Sequence, residues 1–187
     1  MIYVVRHAQS APEPGLAPAD YPLTPQGRES AMKLVPVLSA LGIERVYSSP
    51  YRRAADTVVP FALSTALGCG LDPELRERKL AGCAFPSPEA HVAAVRSCWE
   101  DFDHRFPGGE SNRECQARAV GAVSRLCDQH SGERIVLASH GQWTSLLLNA
   151  IDPGFGVKEW LAIPNPAIFQ VDLEERTWQA VSLVEGG

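Results

Sequence analysis

Three times in this chain a short apolar run ends on polar or basic residues and a helix start follows, once across a loop and twice directly, and this repetition restricts the fold more than any other feature. Ile2–His7 is apolar and β-branched until it reaches Arg6-His7. Arg45–Ser49 leads into Ser49-Pro50, and Ile135–Ser139 leads into His140-Gly141. Short apolar runs without polar alternation read as buried strands, and buried strands followed by helices read as βα units of a parallel sheet covered on both faces. The expected fold is therefore α/β: a three-layer α/β/α sandwich with a mostly parallel central sheet.

The helices have legible ends. Thr24 is an N-cap with Pro25 at the first helical position, and Ala31, Leu34, Val35, Leu38 and Leu41 fall on one face. Pro36 lies inside this pattern and predicts a kink or an early end. Ser49-Pro50 repeats the cap-and-proline signal ahead of a helix that carries Arg53 in its first turn, and Trp143–Ala150 is helical. Ser111-Asn112-Arg113-Glu114 is a capping box for a helix running to near His130, where Ser131-Gly132 stops it. Ile168–Leu173 and Trp178–Val184 read as final strands joined by a polar turn. Residues 11–22 hold four prolines and one glycine without helical period, and predict a surface loop. The segment 78–109 predicts a short helix near Pro88–Asp103 and a small cap over the site. No repeat or linker divides the chain, so residues 1–187 read as one domain.

Composition narrows the function. The 187 residues are 45% hydrophobic and 21% charged, an ordinary globular balance. A chain of this length buries roughly 70% of its unfolded surface, enough to fold without a disulfide or structural metal. The formal net charge of −5 and pI near 5.5 argue against nucleic acid or an anionic membrane as the main partner. No apolar run approaches a membrane span, and Met1-Ile2-Tyr3-Val4-Val5 carries no basic leader, so a cytoplasmic protein is expected. Cys69, Cys83, Cys98, Cys115 and Cys127 are odd in number with no C-x-x-C pair, which suits a reducing compartment and no zinc site. Cys115 shares a helical stripe with Ala119, Val123 and Leu126 and reads as a small core residue.

In doubly wound sheets, ligands bind beyond the carboxyl ends of the strands, where helix N-termini and loop amides converge. Arg6, His7, Arg53 and His140 all map to such positions. Guanidinium forks and imidazoles there suit a phosphoryl dianion, and one imidazole can act as nucleophile. Strand-end histidines are also common structural residues, so spacing alone leaves both readings open.

The motifs go further. Arg6-His7-Ala8-Gln9-Ser10 is similar to R-H-G-x-T/S, Leu23-Thr24-Pro25-Gln26-Gly27 to L-T-x-x-G, and Ser48-Ser49-Pro50-Tyr51-Arg52-Arg53-Ala54 to S-S-P-x-x-R-A. Leu75-Arg76-Glu77 matches L-x-E, Pro107-Gly108-Gly109-Glu110-Ser111 matches P-G-G-E-S, and Ser139-His140-Gly141 supplies a second histidine motif. In this order they resemble the histidine phosphatase superfamily, which includes phosphoglycerate-mutase-like enzymes, over nearly the whole chain. The resemblance implies a phosphatase acting on phosphate monoesters without metal or other cofactor. In it His7 attacks phosphorus, Arg6, Arg53 and His140 hold the oxygens, and Glu77 protonates the leaving group. The implied partner is a small phosphorylated metabolite, with a phosphoprotein as an alternative. Gln9, Ser10, Gln142 and the Gly141 amide are further donors or, equally, turn and cap residues. Glu77 has an alternative as an ion-pair partner of Arg76, Arg78 or Lys79.

Two departures stand out. Ala8 replaces the usual glycine, which adds a methyl near the phosphate. Glu13 stands where mutase-like members carry asparagine, and a carboxylate there repels a dianion, so the proline-rich loop is expected to take another path. Three other functions share the motifs: a cofactor-dependent phosphoglycerate mutase, a phosphohistidine protein phosphatase, and a non-catalytic phospho-ligand module. The short chain argues against the first, Glu77 against the second, and the retained Arg6, His7, Arg53 and His140 against the third. Substrate and oligomeric state are not written in these motifs.

Overall fold

A computed structural model describes residues 1–183. The strands are β1 (Ile2–Arg6), β2 (Arg45–Ser48), β3 (Cys69–Leu71), β4 (Ile135–Ser139), β5 (Ala167–Asp172) and β6 (Thr177–Val181). The helices are α1 (Pro25–Ala40), α2 (Arg52–Ser64), α3 (Pro88–Glu100), α4 (Asn112–Gln129), α5 (Gly141–Ile151) and α6 (Val157–Ala162). One sheet runs β3-β2-β4-β1-β5-β6. The first four strands in that order are parallel, while β5 runs antiparallel to both of its neighbours, β1 and β6.

The two-residue period of a strand divides the core. Ile2 and Val4 of β1 join Ile135 and Leu137 of β4 on one face, against Cys115, Ala119, Val123 and Leu126 of α4 and Trp143, Leu146 and Leu147 of α5. Tyr3 and Val5, with Val136 and Ala138, face the other way against Leu34 and Leu38 of α1 and Val58 and Phe61 of α2. Burying each large apolar side chain contributes about 1.5–3 kcal/mol, so the two layers of helices hold the sheet from both sides. The expected three-layer α/β/α sandwich is the observed fold. Cys115 is a core residue, and burial pushes its thiol far above the ordinary range.

Register positions the site. Arg6 pairs with Ser139 and Ser48 with Ala138, so the carboxyl ends of β1, β2 and β4 lie side by side.

Several local expectations shift. Helix α1 runs through Pro36 to Ala40. Pro36 is on the exposed side, and the carbonyl it deprives of a donor belongs to exposed Met32, where water can replace the bond. Helix α2 starts at Arg52 with Tyr51 as N-cap, not at Ser49. The Ser49 hydroxyl accepts from the Tyr51 amide at 3.2 Å instead, within the turn that precedes the helix. Helix α5 begins at Gly141, two residues before the expected Trp143. Strand β3 and helix α6 carry no clear sequence pattern, being three and six residues long. The end of the expected strand Trp178–Val184 lies outside the described residues.

The segment 78–109 holds α3, with Ser87 as its N-cap. Glu110 N donates to Lys79 O at 2.7 Å and Gly82 N to Pro107 O at 2.8 Å, so the chain leaves and returns at one place. Its own apolar cluster of Leu80, Ala94, Val95 and Cys98, flanked by Phe85 and Phe106, holds it together. Among the described residues no helix is long and apolar enough to cross a membrane.

Candidate active site

His7 is the first residue beyond β1, and two neighbours determine its tautomer. Its Nδ1 lies 2.7 Å from the Ala8 carbonyl, which can only accept, so Nδ1 carries the proton. Arg53 Nε lies 3.1 Å from His7 Nε2 and can only donate, so Nε2 presents a lone pair. Burial, reinforced by the positive charges of Arg53 and Arg6 against the opposing Ala8 bond, lowers the His7 pKa to about 3. The imidazole is therefore neutral and unprotonated at Nε2. Asn165 Nδ2 donates to the His7 carbonyl at 2.8 Å. Thr57 of α2 accepts from the Ala8 amide at 2.9 Å and donates to the Arg53 carbonyl at 2.7 Å, which ties the His7 loop to the helix that carries Arg53.

Two guanidiniums and a second imidazole surround this ring. Arg6 Nη1 donates to the Ile163 carbonyl, while its Nε is buried without a partner. A Cβ on Gly141 would sit 3.2 Å from the Arg6 guanidinium, so a glycine lets the N-terminus of α5 approach that closely. Arg53 Nη1 donates to the Pro18 carbonyl at 2.6 Å, and its guanidinium lies 5.1 Å from the Tyr51 ring centre. His140 is fully buried, with its ring 5.2 Å from His7 and 5.1 Å from Tyr51. Its Nε2 is 2.8 Å from Ser49 Oγ, and its Nδ1 is buried without a partner. Burial, then the charge of Arg53, drives the His140 pKa well below its ordinary value. Burial likewise lowers Arg6 and Arg53, and the Glu77 carboxylate opposes it.

Glu77 sits against the start of α5. Its Oε1 accepts from the amides of Arg78 at 2.9 Å and Trp143 at 3.0 Å, and its Oε2 from that of Gln142 at 3.2 Å. It is not an ion-pair partner of its neighbours: Arg76 pairs with Glu74 and Glu110, and the Arg78 side chain turns to the Gln142 side chain and the Glu110 carbonyl. Two guanidiniums, two imidazoles and a carboxylate thus converge beyond three strand ends. Unpartnered buried donors each cost about 1–3 kcal/mol, and an anion with several oxygens would satisfy them.

The structure brings Arg6, His7, Arg53, Glu77, His140 and Gly141 together and leaves out some other candidates. Ser10 pairs through its backbone with Leu23, and its hydroxyl bonds to none of the pocket side chains. Gln9 accepts from the Thr24 hydroxyl at 2.9 Å on the surface. Gln142 is buried and binds Arg78. The Ala8 methyl does not face the site; it packs with Leu23 and Ala31. Glu13 is exposed, in a turn closed by Leu16 N donating to Glu13 O at 3.2 Å. The loop 11–22 still contributes through the Pro18 carbonyl. Sequence reasoning missed Ser49, Tyr51, Thr57, Ile163 and Asn165; only Ser49 carried a signal, and it read as a helix cap. Among the described residues no group of three or more His, Cys, Asp or Glu is arranged to hold a metal.

This fold and this constellation define a phosphate-handling α/β enzyme. The model of the histidine phosphatase superfamily (branch 1) matches residues 2–186, and the chain belongs to that family. Its relatives include the probable phosphoglycerate mutase GpmB of Cronobacter sakazakii, 30% identical over 96% of this chain and 87% of the relative. Among solved structures it is similar to mycobacterial glucosyl-3-phosphoglycerate phosphatase in complex with inorganic phosphate (TM-score 0.74, 25% identity, 97% of this chain and 95% of that one). The same phosphatase with VO3 aligns with TM-score 0.76 and 27% identity, over 96% of each chain.

Proposed function

We propose that this chain is a metal-independent phosphatase that hydrolyses small phosphate monoesters through a phosphohistidine on His7. The observation that carries this is the state of His7: a neutral imidazole with its proton held by Ala8 O and its Nε2 lone pair turned to the guanidinium that would hold the phosphate. In the first step Nε2 bonds to phosphorus, the P–O ester bond breaks, and Glu77 gives its proton to the departing alcohol oxygen. In the second, Glu77 takes a proton from water, the water oxygen bonds to phosphorus, and the P–N bond breaks to release inorganic phosphate. Arg6, Arg53 and His140 hold the equatorial oxygens throughout, and the α5 amides add partial positive charge. The segments 11–22 and 78–109 bound the leaving-group side and set specificity.

Intact mass measurement after a rapid acid-free quench should show one phosphoryl adduct in the wild type and none in His7→Ala. Robust turnover by His7→Ala sinks the mechanism. The names of the GpmB relatives support a second reading, a mutase that returns the phosphoryl group to substrate. Phosphorus NMR of a phosphoglycerate incubation separates the two: a phosphatase releases inorganic phosphate, whereas a mutase builds up the positional isomer.

A further inference from the structure

The phosphatase chemistry leaves the motif Pro107-Gly108-Gly109-Glu110-Ser111 without a role. Gly108 has a left-handed φ of +70°, and a Cβ on Gly109 would lie 2.3 Å from the Leu80 carbonyl oxygen, so the two glycines turn the chain and bring it back against the segment that leaves Glu77. Glu110 closes this return. Its amide donates to the Lys79 carbonyl at 2.7 Å, and its carbonyl accepts from Arg78 Nε at 2.9 Å. The backbone of Glu110 therefore holds the chain just after Glu77.

Arg118 of α4 holds the chain just before it. Its Nη1 donates to the carbonyls of Glu74 at 2.6 Å and Arg76 at 3.0 Å. Its Nε and Nη2 donate to the two oxygens of the Glu110 carboxylate at 2.8 and 2.7 Å, a bidentate pair whose side chains are only 7% and 15% exposed. A planar guanidinium can serve a carboxylate and two carbonyls at once in fixed directions, which an ammonium cannot. Removing either partner of a pair this well covered strands the other charge away from water. Arg76 lies 3.9 Å from the same carboxylate and is more exposed, so it adds little. One ion pair thus joins the residues on the two sides of Glu77.

We infer that Arg118 and Glu110 are positioning residues for Glu77: their ion pair clamps residues 74–76 to 78–79, so that the Glu77 carboxyl rests on the α5 amides where the leaving oxygen takes its proton. This rests on the phosphatase reading and deepens it. Among the described residues neither side chain hydrogen-bonds to Arg6, His7, Arg53 or His140, so the pair acts on protonation of the leaving group and leaves phosphate binding alone.

The test follows single-turnover phosphorylation of His7 by an alkyl phosphate and by p-nitrophenyl phosphate, since the alkyl alcohol needs the Glu77 proton and p-nitrophenolate hardly does. Small misplacements of a catalytic group cost up to roughly 10²-fold, so Arg118→Met and Glu110→Gln should slow the alkyl phosphate by about 10–10² and p-nitrophenyl phosphate only slightly. Arg118→Lys keeps the charge without the fork and should recover part of the loss. In a Glu77→Gln background the same substitutions should cost nothing further, because no acid remains to be positioned. If Arg118→Met does not fold, Glu110→Gln and Arg118→Lys decide. Equal slowing of both substrates, an unchanged alkyl rate in Glu110→Gln, or a full further loss on top of Glu77→Gln overturns the inference and reduces the pair to a support of the fold. A His7 adduct from p-nitrophenyl phosphate then still upholds the phosphatase. No adduct in the wild type from any substrate overturns both readings.

Discussion

Glu77 has two duties that compete for the same atoms. As a cap it accepts two amide hydrogens at the start of α5, from Gln142 and Trp143, and a third from Arg78; as an acid it must hold a proton on the Oε2 lone pair those amides leave free. Glu77→Gln separates most of the duties, since its one amide oxygen still accepts from the Arg78 and Trp143 amides and only the longer Gln142 bond is lost, while the side chain cannot deliver an acidic proton. An alkoxide leaves poorly and p-nitrophenolate readily, so phosphorylation of His7 by an alkyl phosphate should slow by roughly 10²–10⁴ and by p-nitrophenyl phosphate far less. Single-turnover rates are the right measurement, because hydrolysis of the phosphoenzyme is common to both. Equal losses would make Glu77 a cap only. Ala8 illustrates the limit of reading residues singly: its type suggested a methyl against phosphate, whereas its direction is decided by Leu23 and Ala31 packing beneath the loop.

At the scale of elements, close approach explains why some helix residues must be small. A Cβ on Gly27, in the first turn of α1, would lie 2.0 Å from the Gln9 carbonyl oxygen, so this glycine lets the helix dock against the His7 loop. Gly121, on the exposed side of α4, meets nothing within 4 Å. Gly27→Ala should therefore destabilise by about 1–3 kcal/mol and lower activity as the loop shifts. Gly121→Ala should stabilise by up to about 1 kcal/mol through helix propensity, with activity unchanged. Urea midpoints at constant slope report both. A neutral Gly27→Ala would mean that the loop and helix give way freely. The start of α1 and both ends of α4, each with a cap and an apolar stripe, were legible in sequence within two residues, whereas Pro36 pointed to an end or kink that α1 does not have. The start of α2 was not, because Ser49 has the residue type of a cap but its backbone is still in the turn, and its hydroxyl is engaged by His140.

Across the whole molecule, an acidic chain concentrates positive charge in one place. The net charge is −5, yet the guanidiniums of Arg6 and Arg53 share a pocket with the neutral rings of His7 and His140 and with the amides at the start of α5. These groups supply the compensation that Mg²⁺ supplies in other phosphoryl-transfer sites, so activity should survive exhaustive chelation. Orthovanadate should inhibit competitively, as a mimic of the five-coordinate transition state. Activity lost with EDTA and restored by one divalent ion would contradict metal independence.

What the amino-acid order determined by itself was everything encoded within a short window. Apolar runs set the strands, caps and stripes set the longer helices, and the end of each run put Arg6, His7 and His140 at strand ends and Arg53 in the first turn of the helix that follows. Tertiary structure alone decided the chemistry of those residues. The His7 tautomer depends on Arg53, 46 positions away; Arg6 is held by Ile163 and the His7 carbonyl by Asn165, 157 and 158 positions away. Periodicity is a local property of the chain, but a hydrogen bond needs two atoms about 3 Å apart, and which distant loops meet at that distance is settled only when the sheet order and its packing are complete.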